Sequence, residues 1–311
     1  GNECSMIEPD LTTPIGSLRL KNPVTVASGT FGYGSEYSDF YDPSRLGAIF
    51  LKGLTWKERV GNHPQRLVET PSGLLNAIGL QNVGFDRFIE EKLPYLKTLD
   101  TTIIANVCGS TLEDYVHLAS RLADIEQIHA IELNISCPNV RQGGMAFGCI
   151  PASAAQITRE VRHAWPRTMI VKLSPNVTDI TEIARSVESA GADALSVANT
   201  FVGMAIDIQT RRPKLGNVTG GLSGPAVKPM ALRMVWQCAR VVHIPIIGQG
   251  GITTWQDAAE FLIAGASAIS VGTASFANPT APVEILDGLT EWLHSQGCAS
   301  LKEIVGTLEA N

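Results

Sequence analysis

The six cysteines, at 4, 108, 137, 149, 238 and 298, form no CxxC pair, which argues against a zinc site or an iron–sulfur cluster held within this chain. Basic charge is also short. The 24 lysines and arginines stand against 30 acidic residues, a net charge of −6, so there is no cationic footprint for nucleic acid and no polybasic run for a membrane surface. No apolar segment approaches membrane-spanning length, and residues 1–10 are polar and acidic without a stretch of signal-peptide type, so the expected location is cytosolic. His63, His117, His129, His163 and His243 have no HxxxH or triad context, and none reads as a metal ligand or base. What is present is a 311-residue chain, 44% apolar and 17% charged, with the makeup of one large enzyme domain.

Eight short β-rich runs, at 24–28, 48–52, 102–107, 130–135, 169–173, 194–197, 245–248 and 268–272, alternate with segments whose apolar residues recur at helical spacing. Leu112, Tyr115, Val116 and Ala119 form one such stripe, and Trp255, Ala258, Ala259, Leu262 and Ile263 another. Thr111 with Asp114 and Thr254 with Asp257 have the form of helix-start signals. Eight buried parallel strands with crossover helices predict a closed (β/α)8 barrel. Its usual length of about 250 residues leaves ~60 for a lead-in and long loops. A doubly wound open sheet is the rival, but no GxGxxG follows the first run. The chain therefore reads as a single domain over 1–311, with a lead-in at 1–23 and closing helices at 280–311. Leu286, Leu289 and Leu293, then Leu301, Ile304, Val305 and Leu308, predict two helices in that tail.

Three connections, 53–100, 138–152 and 200–226, exceed what a βα unit needs, and all would leave the C-terminal ends of strands, where such barrels keep their active sites. Polar residues gather at the same ends: Ser28, Lys52, Asn106, Asn134, Cys137, Lys172, Asn199 and Thr200. Asn134-Ile135-Ser136-Cys137-Pro138-Asn139 sets a thiol and two carboxamides at the end of an apolar strand; alone, it also fits a strand end with a structural cysteine. Cys108, which shares side parity with Asn106, is the competing thiol. Lys52 and Lys172 end apolar runs, so each ammonium faces an anion or an electron-rich ring, or else snorkels to the rim. Gly248-Gln249-Gly250-Gly251 and Gly272-Thr273 are turns whose backbone amides can approach a phosphate, and Gly220-Gly221-Leu222-Ser223-Gly224 reads as a third flexible turn. In Leu75-Asn76-Ala77-Ile78-Gly79-Leu80-Gln81-Asn82 the amides can serve a planar polar ring; the bland alternative is a capped surface turn.

With these strings in place the chain closely resembles the class 1 dihydroorotate dehydrogenases, and within them the class 1B catalytic subunit. The resemblance runs from Lys21-Asn22-Pro23 and Ala27-Ser28-Gly29, through the strings above and Val171-Lys172-Leu173-Ser174-Pro175, to Gly272-Thr273. It implies a barrel holding FMN with Ser28, Lys52, Gly53, Asn106, Asn134, Lys172, Ala198, Gly224, Gly250, Gly251, Gly272 and Thr273 around it. It implies dihydroorotate held by Lys52, Asn76, Ala77, Ile78, Gly79, Leu80, Asn134, Asn199 and Thr200, with Cys137 as general base. It further implies a homodimer core joined to a partner subunit carrying FAD and a 2Fe–2S cluster, a heterotetramer that passes electrons to NAD. Gln249 departs from what relatives often carry in that glycine turn and is read as apart from the chemistry.

Rival readings remain at this point. A class 1A enzyme would use fumarate as acceptor. Another flavin barrel could act on dihydropyrimidines or on tRNA dihydrouridine, though the acidic balance counts against tRNA. Lys172 could be the Schiff-base lysine of an aldolase-like barrel, or the chain could be a scaffold without turnover.

Overall fold

A computed structural model of the chain describes residues 8–135 and 147–310. Eight parallel strands, β1 (Val24–Val26), β2 (Ala48–Phe50), β3 (Thr102–Val107), β4 (Ala130–Asn134), β5 (Thr168–Lys172), β6 (Ala194–Val197), β7 (Ile246–Gln249) and β8 (Ala268–Val271), pair in chain order, and β8 closes on β1. The fold is the (β/α)8 barrel that the alternating pattern predicts. Around it lie α1 (Leu112–Leu122), α2 (Pro151–Ala164), α3 (Ile180–Ser189), α4 (Lys228–Ala239), α5 (Trp255–Ala264) and α6 (Ala281–Ser295). No helix among the described residues is long and apolar enough to cross a membrane.

Side chains alternate along each strand, so one set points into the barrel and the other toward the helices. Ile49, Ile103, Ile131, Met169, Leu195 and Ile269 join Leu118, Val161, Val187, Val235, Leu262 and Leu289 of the helices in the outer layer. The inner set, Ala48, Phe50, Ile104, Ala130, Ile170, Ala194, Ile247 and Ala268, packs with Ile15 and Leu20. Those two residues belong to an antiparallel hairpin, Thr13–Ile15 with Leu18–Leu20, which plugs the N-terminal end of the barrel. Each fully buried Leu or Ile here contributes about 1.5–3 kcal/mol. Two residues further along, the inward positions turn polar: Lys52 follows Phe50, Asn106 follows Ile104, Lys172 follows Ile170, Gln249 follows Ile247 and Ser270 follows Ala268. An apolar floor thus carries a polar upper storey at the C-terminal strand ends.

Thr111 caps α1 and Thr254 caps α5, each in a reciprocal box with the aspartate three residues on. Asp257 also accepts from Lys228 Nζ at 2.7 Å, which ties α5 to the start of α4. Burial pushes the Asp257 carboxyl up, but hydrogen bonds from Lys228, Thr253 and Thr254 together outweigh it and hold the group down at about 2. A depressed folded value means that its stabilisation is complete above the ordinary 3.8 and is lost as pH falls through about 2. Asp257→Ala is expected to cost about 0.5–2 kcal/mol near neutral pH. The thermal midpoints of variant and wild type should then converge in acid.

Two sequence expectations need correction, and the long connections hold structure of their own: 53–100 and 200–226 contribute Leu67–Thr70, Gly73–Asn76, Phe201–Gly203 and Gly220–Ser223 to one four-stranded antiparallel sheet. The stretch read as a flexible turn at 220–224 is therefore a strand, and only Gly224, with φ 101°, turns the chain. In the tail, α6 forms as expected, but the second helix shrinks to a single 3-10 turn at Leu301–Glu303, and Gly306 enters the left-handed region directly after it.

Candidate active site

A cavity of about 410 Å³ opens at the C-terminal ends of the barrel strands. From the strand ends and the loops after them it is lined by Ser28, Lys52, Gly53, Asn106, Asn134, Lys172, Ala198, Asn199 and Thr200. Gly224, Gly250, Gly251, Gly272 and Thr273 line it from the glycine turns, and Asn76, Ile78 and Leu80 from the long connection after β2. The four-stranded sheet forms part of its wall through Leu67, Leu74, Asn76, Leu222 and Ser223.

Two of the residues singled out in the sequence stand behind this wall. Ala77 is buried with Leu75 and Leu215 in a small cluster of its own, and its N–H donates to Arg66 O at 2.8 Å. Gly79 has φ 75°, and a Cβ there would lie 2.5 Å from Asn62 Cγ. Its close approach is to Asn62, turning the chain so that Ile78 and Leu80 reach the cavity. Cys137, with Ser136, Pro138 and Asn139, lies outside the described residues, as does most of the 138–152 connection.

The cavity floor is a hydrogen-bonded network centred on a residue that the sequence reading missed. Glu132, 1% exposed, accepts from Asn106 Nδ2 at 2.6 Å through Oε1 and from Ser196 Oγ at 2.5 Å through Oε2. Asn106 Oδ1 in turn accepts from Cys108 Sγ at 3.1 Å and from Asn134 Nδ2 at 3.2 Å. Glu132 thereby fixes which way the Asn106 carboxamide faces, and Asn106 orients Asn134. The signal was available: an acidic residue with the same side parity as Asn134 in an otherwise apolar strand. Tyr115 Oη donates to Asn134 O at 2.8 Å, securing the backbone where β4 ends.

Two ammonium groups face this space. Lys172 is 6% exposed, and among the described residues it makes no ion pair. Lys52 is half-buried; burial pulls its amine below the ordinary lysine value, and Glu36 offsets that in part. Ser28 Oγ donates to Leu51 O at 2.6 Å, which ties the loop after β1 to the end of β2. Cations drawn out of water with no ion pair among the described residues suit an anionic or electron-rich ligand.

The glycines divide by cause. A Cβ on Gly250 would lie 2.6 Å from Ala231 Cβ, and one on Gly251 would lie 2.7 Å from Gly224 O, so packing requires both. At Gly272 a Cβ would meet only Ala27 Cβ at 3.7 Å and Thr30 Cγ2 at 4.0 Å. The fold would admit a side chain there, and the space it would take belongs to the cavity. This cradle, at the turn before a helix in a cavity that two lysines also line, fits a phosphate-bearing group with an electron-rich ring.

Residues 10–293 match a family model described as dihydroorotate dehydrogenase. The chain is 57% identical over 300 residues to "Dihydroorotate dehydrogenase B (NAD(+)), catalytic subunit" of Bacteroides thetaiotaomicron, covering 96% of this chain and 99% of that one. The protein of the same description from Trichlorobacter lovleyi is 57% identical over 303 residues, covering 97% and 100%. That from Parabacteroides distasonis is 56% identical over 300 residues, covering 96% and 98%.

Proposed function

Since the chain belongs to the dihydroorotate dehydrogenase family, we propose that it oxidises (S)-dihydroorotate to orotate in pyrimidine synthesis, as the FMN-holding catalytic subunit of an NAD-linked class 1B enzyme. The observation that carries this reading is the ring of inward-facing Lys52, Asn106, Asn134 and Lys172 over an apolar barrel floor. It offers two cations and two oriented amides to a flat anion. FMN, when bound, supplies the acceptor for the two electrons that leave the substrate.

The chain's own residues do the rest. Gly250, Gly251, Gly272 and Thr273 would hold the phosphate of FMN, and Ser28, Gly53, Asn106, Lys172, Ala198 and Gly224 would surround the remainder. The Lys172 ammonium would place a positive charge at the edge of the bound ring. Lys52 pairs with the substrate carboxylate, while Asn76, Asn134, Asn199 and Thr200 meet its amide edges and Ile78 and Leu80 give it an apolar wall. Cys137 takes the proton from C5. A thiol of ordinary pKa near ~8.5 can do so around neutrality once it is oriented and its thiolate is drawn on.

Electrons then pass to a partner subunit carrying FAD and a 2Fe–2S cluster, which joins a homodimer of this chain in a cytosolic heterotetramer and reduces NAD. Support for a docking surface comes from Val202, Met204, Ile206 and Ile208, which are 48–79% exposed on the connection leaving β6. An anaerobic titration of the flavin-loaded protein tests the whole reading. Dihydroorotate should bleach the flavin stoichiometrically, and NAD reduction should appear only when the partner is added. Failure to bleach overturns the substrate assignment, and rapid NAD reduction by this chain alone overturns the subclass.

A further inference from the structure

Gln249 closes β7 and Ser270 lies beside it in β8, the two being Cα partners in the parallel register. Both sit at inward-facing positions, one step above Ile247 and Ala268 of the apolar floor. Both line the cavity, with exposures of 5% and 1%. Among the described residues neither Gln249 Nε2 nor Ser270 Oγ has a hydrogen-bond partner. A buried donor left unsatisfied costs about 1–3 kcal/mol, so two on adjacent strands, each on a side chain that lines one cavity, mark a place where a ligand that draws them inward completes the bonding.

The position selects the part of the ligand. Gln249 directly precedes Gly250-Gly251, and Ser270 stands two residues before Gly272, so the pair lies just inside the turns that meet the phosphate. Next to the phosphate in FMN comes the ribityl chain, a run of hydroxyls that each donate and accept. An amide donor and a serine hydroxyl, on strands about 4.8 Å apart, suit adjacent hydroxyls of such a chain. We propose that Gln249 Nε2 and Ser270 Oγ form a clasp for the ribityl hydroxyls of the bound flavin, an assignment that rests on the flavin reading above. The glutamine set aside in the sequence as a departure within a glycine turn is then a binding residue.

Gln249→Met keeps the length of the side chain and removes the amide. The full chain, freed of flavin, would be titrated with FMN, riboflavin and lumiflavin by flavin fluorescence, and its own unfolding followed in urea. Affinity for FMN and riboflavin should fall ~3- to 10-fold, the loss of one neutral hydrogen bond. Lumiflavin, which lacks the ribityl chain, should bind unchanged. The flavin-free variant should be as stable as wild type or more so, because an unsatisfied buried amide has gone. A residue that merely supports the fold would lower that stability. Unchanged FMN affinity, an equal loss for lumiflavin, or a parallel fall in flavin-free stability would each overturn the clasp. Ser270→Ala, a smaller change, gives the same comparison should the first variant fold poorly. Wild-type protein that binds none of the three flavins removes the flavin reading itself, whereas wild-type binding with unmoved variants removes only the clasp.

Discussion

Cys137→Ala is expected to slow reduction of the bound flavin by dihydroorotate at least ~10²-fold near neutral pH, the lower end of what a positioned general base contributes. Substrate affinity should change far less, because the groups proposed to hold the ring lie on other elements or, like Asn134, are fixed independently of the thiol. Asn134 is held by Asn106 on one side and by Tyr115 through its carbonyl on the other. The wild-type rate should climb with pH as the thiolate fraction grows and level off beyond the thiol's pKa, a limb that the variant should lack. Stopped-flow absorbance under anaerobic conditions separates these outcomes: binding is read from the concentration dependence and chemistry from the limiting rate. Full rates in the variant would move the base assignment elsewhere, with Cys108 the first thiol to test.

The second large effect is expected at Lys52. Removing one member of a desolvated ion pair costs about 2–5 kcal/mol, and for a half-buried lysine the lower part of that range applies, so Lys52→Met should weaken dihydroorotate binding by ~30- to 100-fold. In the free protein burial holds this amine below its ordinary value. A bound carboxylate raises it again, so binding favours the protonated lysine. Affinity should therefore be full below the pKa of Lys52 in the free protein and fall as pH rises through it. Lys52→Met should be weak throughout and flat with pH. An equilibrium titration with orotate, monitored by the flavin spectrum, reads both. A variant that keeps wild-type affinity would assign the carboxylate to other residues.

The barrel was readable because its strands carry two signals at once. Most inward-facing series, such as Ala130, Glu132 and Asn134, run from apolar to polar, while the outward series stays apolar against amphipathic helices. Those patterns place all eight strands within a few residues of where they lie. The covering sheet was not readable for the opposite reason. Its strands are three or four residues long and hold glycine and asparagine, and its two halves come from connections more than a hundred residues apart, joined where Asn76 pairs with Gly221. The second tail helix failed because four apolar residues at helical spacing are too few when Gly297 precedes them and Gly306 interrupts them. Within the site, residue types and positions on strands were legible, as for Lys52 and Lys172. Which members of a continuous string face inward was not: Ala77 and Gly79 adjoin cavity residues yet serve the wall behind. Glu132 escaped notice because it touches the ligand space only through Asn106.

The hairpin at Thr13–Leu20 has a consequence for traffic. With Ile15 and Leu20 stoppering one end of the barrel, the described residues make a vessel whose doorway lies at the other end. Cofactor, substrate and product must all use the same threshold, so whatever is seated deepest has to board first and disembark last. The sequence of loading is thus dictated at the far end of the molecule, by residues that never meet a ligand.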